Sequence, residues 1–158
     1  MDALDVITLL DAKKELVVDA TYTDRDAEIT RLIQTAVAWV EQYTCYKLYE
    51  RVETFIAYGW YTELPYYPIE VTGVVHDGEA YPNYTEKQLP LGLWVGAPNQ
   101  SVITANVGYT SAALIPQPLI SACYKIITYL FENKDAYSIG LPVDVQVLIN
   151  QYRRSATV

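Results

Sequence analysis

Residues 23–44 read TDRDAEITRLIQTAVAWVEQYT, from Thr23 to Thr44. Ile29, Leu32, Ile33, Ala36, Val40 and Tyr43 recur at intervals of three and four, the period of one face of an α-helix. Trp39 sits at the edge of that stripe. Thr23 and the acids Asp24 and Asp26 suit the positive end of the helix. The pattern stops at Tyr43-Thr44, and Cys45-Tyr46 does not continue it. A helix with one apolar face must bury it against another element. What covers this stripe decides the fold.

Upstream, Thr8-Leu9-Leu10-Asp11 has the form of an N-cap followed by an acid at N3. It predicts a short helix to about Leu16, with Leu9, Ala12 and Leu16 on one side. At the other end of the chain, Pro118 suits a first helical turn. Leu119, Ala122, Cys123, Ile126, Ile127, Leu130 and Phe131 then form a broad apolar face. Gly140 closes that segment, and Pro142 opens a last helix striped by Val145, Leu148, Ile149 and Tyr152.

Between the ends the period changes. Residues 50–58 alternate, placing Val52, Thr54, Ile56 and Tyr58 on one face. Gly59-Trp60 breaks the run, and prolines hold Leu64-Pro65-Tyr66-Tyr67-Pro68 extended. Residues 69–75 read as a strand, and Asp77-Gly78 is a hairpin signal. Residues 79–84 are the candidate return strand, with further strands at 91–95 and 101–107. The expected architecture is α+β: a helical bundle of N- and C-terminal helices (about 8–44 and 118–153) with an inserted antiparallel β region (about 50–108). It forms one domain over residues 1–158. An open antiparallel sheet and a small barrel both fit the β region.

Composition narrows the function. The net charge is −8, and residues 1–28 hold eight acids against three bases, which is not the basic footprint of a sequence-specific DNA reader. No apolar run approaches the ~20 residues of a membrane-crossing helix. The start, Met1-Asp2-Ala3-Leu4-Asp5, lacks the basic and apolar regions of a signal peptide. Two distant cysteines, Cys45 and Cys123, form no disulfide framework and suit a reducing compartment. One histidine, His76, leaves little for a metal site, and no cofactor motif is present.

Catalytic patterns are equally sparse. Cys123 falls on an apolar helix face, where cysteines are inert, and pairing Cys45 with His76 has no flanking motif behind it. The carboxylate pairs Asp24/Glu28 and Glu132/Asp135 read as solvated helix faces. Residues 92–96, Gly-Leu-Trp-Val-Gly, lack the Gly-Lys-[Ser/Thr] end of a phosphate-binding loop. The unusual number is fifteen tyrosines beside three tryptophans. Tyr58, Trp60, Tyr61, Tyr66 and Tyr67 fall within ten residues, punctuated by Gly59, Pro65 and Pro68. Such an aromatic arm is either folded onto its own core or buried against a neighbour.

The two ends of the chain resemble a family. Ile7-Thr8-Leu9-Leu10-Asp11-Ala12-Lys13-Lys14-Glu15-Leu16, then Glu28-Ile29-Thr30-Arg31-Leu32-Ile33 and Val40-Glu41-Gln42-Tyr43-Thr44, are similar to tailed-bacteriophage head–tail connectors, the adaptors that ring the underside of the portal. Pro118-Leu119-Ile120-Ser121-Ala122, Tyr129-Leu130-Phe131-Glu132-Asn133-Lys134, Leu141-Pro142-Val143 and residues 148–153 continue the likeness, as does the Pro-Ile-x-Val-x-x-Val run from Pro68 to Val74. It covers about two thirds of the chain. Cys45 stands where the family has Gly after the long helix, which leaves that turn open.

The resemblance implies a non-enzymatic virion protein, made in the host cytoplasm and placed at the head–tail interface. It implies a homo-oligomeric ring of about twelve subunits, with portal protein on one side and a tail-side stopper or completion protein on the other. DNA would pass non-specifically through the lumen, for packaging and ejection. The family's C-terminal end reaches toward the portal, which would give Tyr152, Arg153 and Arg154 that contact. A ring needs two different complementary surfaces per subunit, for which the acidic helix pair and the aromatic arm are candidates. Two other classes compete. A small acidic hydrolase would need converging desolvated carboxylates. A soluble peptide- or sugar-binding module would show a concave aromatic groove.

Overall fold

The computed structural model describes residues 1–89, 92–133 and 140–154. Among these residues five α-helices make one half: α1 (Ala3–Val6), α2 (Leu9–Glu15), α3 (Asp26–Thr44), α4 (Gln117–Glu132) and α5 (Val143–Ile149). The stripe of α3 is covered by α4, its main helical partner, with α1 and α2 against its flank. Ile29, Ile33, Ala36, Val40, Leu119, Ala122, Ile126 and Ile127 are fully buried together. Each Leu or Ile side chain so buried contributes about 1.5–3 kcal/mol. Val145 and Ile149 of α5 close the same core.

The helix starts follow local chemistry. Thr8 Oγ1 accepts from the Asp11 N–H at 3.1 Å. At α1, Asp2 accepts from the Leu4 N–H at 2.8 Å while Asp5 accepts from the Asp2 N–H at 2.7 Å, a reciprocal cap. That helix is four residues long, too short for periodicity to reveal. Helix α3 begins at Asp26, three residues after the predicted Thr23, with Arg25 at the N-cap. Lys13 is buried in α2; its ammonium donates to the carbonyls of Ala20 (3.3 Å) and Tyr22 (2.9 Å) and pairs with Asp26. It thereby fastens the link between α2 and α3.

Among the described residues seven strands form the other half: β1 (Arg51–Ile56), β2 (Thr62–Leu64), β3 (Ile69–His76), β4 (Glu79–Ala80), β5 (Thr85–Leu89), β6 (Gly92–Gly96) and β7 (Val102–Val107). They pair antiparallel into two sheets, β1-β7-β3-β4 and β2-β6-β5. The sheets share a second small core of Ala57, Leu64, Val71, Val74, Leu93, Val95, Ala97 and Ile103. The β region is therefore a small two-sheet sandwich, neither one open sheet nor a simple barrel. The predicted Asp77-Gly78 turn joins β3 to β4, both residues at positive φ (50° and 83°). The return strand is only two residues; β2 and β5 went unpredicted because one is three residues long and the other reads Thr-Glu-Lys-Gln-Leu. Leu91, the expected start of β6, lies outside the described residues.

Alternation in β1 is as expected, and the face that carries Val52, Thr54 and Ile56 is the exposed one. Arg51, Glu53 and Phe55 face inward, while Val52 and Ile56 are 65% and 51% exposed. The inward charges have partners at the junction of the two halves. Glu41, buried near the end of α3, accepts from the Leu48 N–H at 2.8 Å and from the Arg51 guanidinium at 2.7 and 3.2 Å. Arg51 also reaches Glu53 at 3.2 Å, and Lys47 lies 3.9 Å from Glu41. Burial pushes the Lys47 ammonium below its ordinary pKa, with Glu41 opposing the shift.

Candidate interaction surface

The residues singled out in the sequence divide into two groups. Tyr58, Trp60 and Tyr61 form an exposed loop between β1 and β2, exposed by 75%, 77% and 58%. The loop is anchored despite its exposure. The Tyr58 N–H donates to Thr62 Oγ1 at 2.9 Å, and the Gly59 N–H to Asn99 Oδ1 at 3.0 Å. A Cβ on Gly96 would stand 2.4 Å from Thr85 Oγ1 and 2.9 Å from the Tyr61 ring, so the glycine lets both lie close to β6.

Tyr66, Tyr67, Tyr152, Arg153 and Arg154 gather on the opposite, helical side of that segment. Tyr46 bridges Tyr67 and Tyr152 with edge contacts at 5.0 and 5.6 Å between centroids. Arg154 stacks over Tyr67 at 4.3 Å and Tyr46 at 5.5 Å, and its N–H donates to the Thr44 carbonyl at 3.2 Å. Arg153 lies over Tyr43 at 5.3 Å. Lys47 stands over Tyr66 at 3.9 Å, and Tyr66 packs on Phe55 at 5.8 Å. Each such cation–ring contact contributes about 0.5–1 kcal/mol where exposed and more where desolvated. This cluster, with Tyr43 and Tyr46, ties the C-terminal segment to the end of α3. Sequence spacing gave no sign of it, because its members lie a hundred residues apart.

The same fold brings together an arrangement that motif reading missed. Ser101 Oγ lies 3.2 Å from His76 Nδ1, and Asp77 lies 3.4 Å from His76 Nε2. The order is that of a serine–histidine–aspartate set. However, Ser101 is fully buried and the Asp77 side chain is 90% exposed at a hairpin tip. A substrate carbonyl has no path to the hydroxyl, so the group acts as a strand-end hydrogen bond. Cys123 is wholly buried, and burial pushes its thiol pKa up, away from thiolate reactivity. Glu28 pairs with Arg25 at 3.4 Å, as a solvated helix face would. Asp135 of the other carboxylate pair lies outside the described residues. Among the described residues no His/Cys/Asp/Glu group is arranged to hold a metal, and no helix is long and apolar enough to cross a membrane. An open cleft of about 180 Å3 lies beside the aromatic loop, lined by Trp60, Tyr61, Tyr81, Asn83 and Thr85 among others.

No family model matches the chain, and no curated protein does. Solved structures do. A chain of the virion of a native gene transfer agent (GTA) particle superposes with a TM-score of 0.76 at 16% identity, over 97% of this chain and 92% of that one. A chain of the neck of an empty GTA particle, computed with C6 symmetry, gives 0.74 at 16% identity over the same shares. A chain of the neck of a native GTA particle, computed with C12 symmetry, gives 0.70 at 17%, over 96% and 92%. The fold is that of a GTA neck chain. Helices and sandwich match together, so the resemblance extends across the β region that sequence motifs barely reached.

Proposed function

We propose that this chain is a non-enzymatic structural subunit of a head–tail connector ring, in a phage or a phage-like particle. The observation that carries the reading is the near end-to-end fold match to chains of GTA necks. A ring of twelve is supported by the C12 symmetry of one matching neck, and the C6 symmetry of another is a subgroup of it. In this reading portal protein lies on one side, a tail-side stopper or completion protein lies on the other, and DNA crosses the lumen. The subunit is made in the host cytoplasm and works in the virion. Tyr58, Trp60 and Tyr61 provide contacts between subunits. Tyr66 and Tyr67 support the C-terminal segment, from which Tyr152, Arg153 and Arg154 face the portal. Gold-labelled antibody against the chain, imaged by negative stain on intact particles, should mark the junction of head and tail. Label on the capsid shell or tail tip, or none on intact and opened particles alike, refutes the assignment.

A further inference from the structure

Among the described residues, nothing packs over the apolar centre of the outward face of the β1-β7-β3-β4 sheet. Register places Ile56 opposite Val102, and Val102 opposite Val75, in one row across three strands. The next rows hold Thr54, Thr104 and Gly73, then Val52, Asn106 and Glu70. Ile56, Val75 and Val102 are 51%, 38% and 38% exposed. A bulge at Thr72-Gly73 keeps β3 in phase with this face, with Thr72 Oγ1 donating to the Thr104 carbonyl at 3.1 Å. Tyr58 extends the outward side of β1, and the anchored loop with Trp60 stands beside it.

Two features identify what covers this face. First, the chain carries a net charge of −8, yet these rows hold a single charged residue, Glu70, at their end. Two copies of an acidic protein repel wherever their acids meet, and they approach at least cost where charge is missing. A basic partner would instead seek the acids. Second, the exposed parts of Val52, Ile56, Tyr58, Trp60, Val75 and Val102 amount to several hundred Å2. That is the scale of the ~800 Å2 each partner gives to a stable interface. The loop is also held before binding, so little ordering entropy is lost on contact. Resting on the ring reading above, we infer that this sheet face and the Tyr58–Trp60 loop are the surface on which a second copy of the chain docks.

Sedimentation velocity of the full chain between ~10 μM and ~1 mM tests this, a range suited to a weak single contact. The expected result is mass above the monomer at the upper end. Ile56→Asp/Val102→Asp should raise the concentration needed at least ~tenfold, as loss of a central apolar contact does. Tyr58→Ala/Trp60→Ala, which touches only the exposed loop, should do the same and serves if the sheet variant fails to fold. Val17→Asp, 93% exposed elsewhere, should change nothing. A wild-type chain monomeric throughout, or variants that associate as the wild type does, overturns the inference. Variants that self-associate normally but no longer enter particles hand the face to another protein and overturn it too. A chain that self-associates through this face but is not found at the neck refutes the ring reading and leaves the docking surface standing.

Discussion

Cys45 ends α3 at φ 61°, in the left-handed region, with its N–H donating to the Glu41 carbonyl at 2.9 Å. This is the position where the connector family has Gly, and the turn forms without it. A side chain there costs about 1–2 kcal/mol that Gly avoids, offset by the greater freedom of Gly in the unfolded chain. Cys45→Gly should therefore stay within ~1 kcal/mol of wild type, while β-branched Cys45→Val should lose ~1–2 kcal/mol in urea unfolding. Alkali tests two other residues. Burial raises the pKa of the Cys123 thiol and the Tyr109 phenol, so the native state keeps both protons after the unfolded chain releases them. Unfolded values near 9.0 for Cys and 10.0 for Tyr mean that stability is full below pH 9 and falls above it. The slope from Cys123 alone approaches ~1.4 kcal/mol per pH unit. Cys123→Ala should move the onset of the fall from about pH 9 to about pH 10 in thermal melts across pH. An unchanged onset refutes that origin.

Among elements, the long helices were readable because burial on one face imposes a period of 3.6, and α2 to α5 each carry it. Strand β1 marks where that logic stops. Its alternation was plain, but the usual rule would bury Val52 and Ile56 and expose Arg51 and Glu53. The fold does the reverse, because Glu41 at the end of α3 neutralises the inward-facing Arg51, while Val52 and Ile56 stay exposed. Gly108 shows a constraint of the same kind between elements. It leaves β7 at φ 98°, and a Cβ there would stand 2.1 Å from the Tyr49 carbonyl oxygen. Its N–H donates to the Pro68 carbonyl at 2.9 Å. Gly108→Ala should cost more than ~2 kcal/mol, combining backbone strain with displacement of the β1 entry strand. A Tm within a degree of wild type counts against that reading.

At the scale of the molecule, the helical half and the sandwich have separate apolar cores joined by a charged hinge of Glu41, Lys47, Arg51 and Glu53. Removing Glu41 leaves the half-buried Arg51 with Glu53 alone and takes the nearby acid from Lys47 and the acceptor from the Leu48 N–H. Glu41→Ala should destabilise by about 3–5 kcal/mol. Replacing both partners, Glu41→Leu with Arg51→Met, should recover only part of the loss, because the buried Leu48 N–H and Lys47 still lose their carboxylate. Hydrogen exchange should show the sandwich opening ahead of the helices in Glu41→Ala only; equal protection of both halves in that variant argues that the apolar contacts alone hold them together.

The chain by itself determined helices α2 to α5, the hairpin at Asp77-Gly78 and the order of helix, sheet and helix. These depend on residues within a few turns of one another, where periodicity and capping act. Only the tertiary structure decided that the β region closes as two sheets, which face of β1 meets solvent, and that Arg153 and Arg154 rest on Tyr43, Tyr46 and Tyr67. Those outcomes depend on contacts between different elements, from Glu41 with Arg51 at the junction of the two halves to Arg153 on Tyr43 between the ends of the chain. Their energies come from mutual burial and charge neutralisation, which no local window of sequence contains.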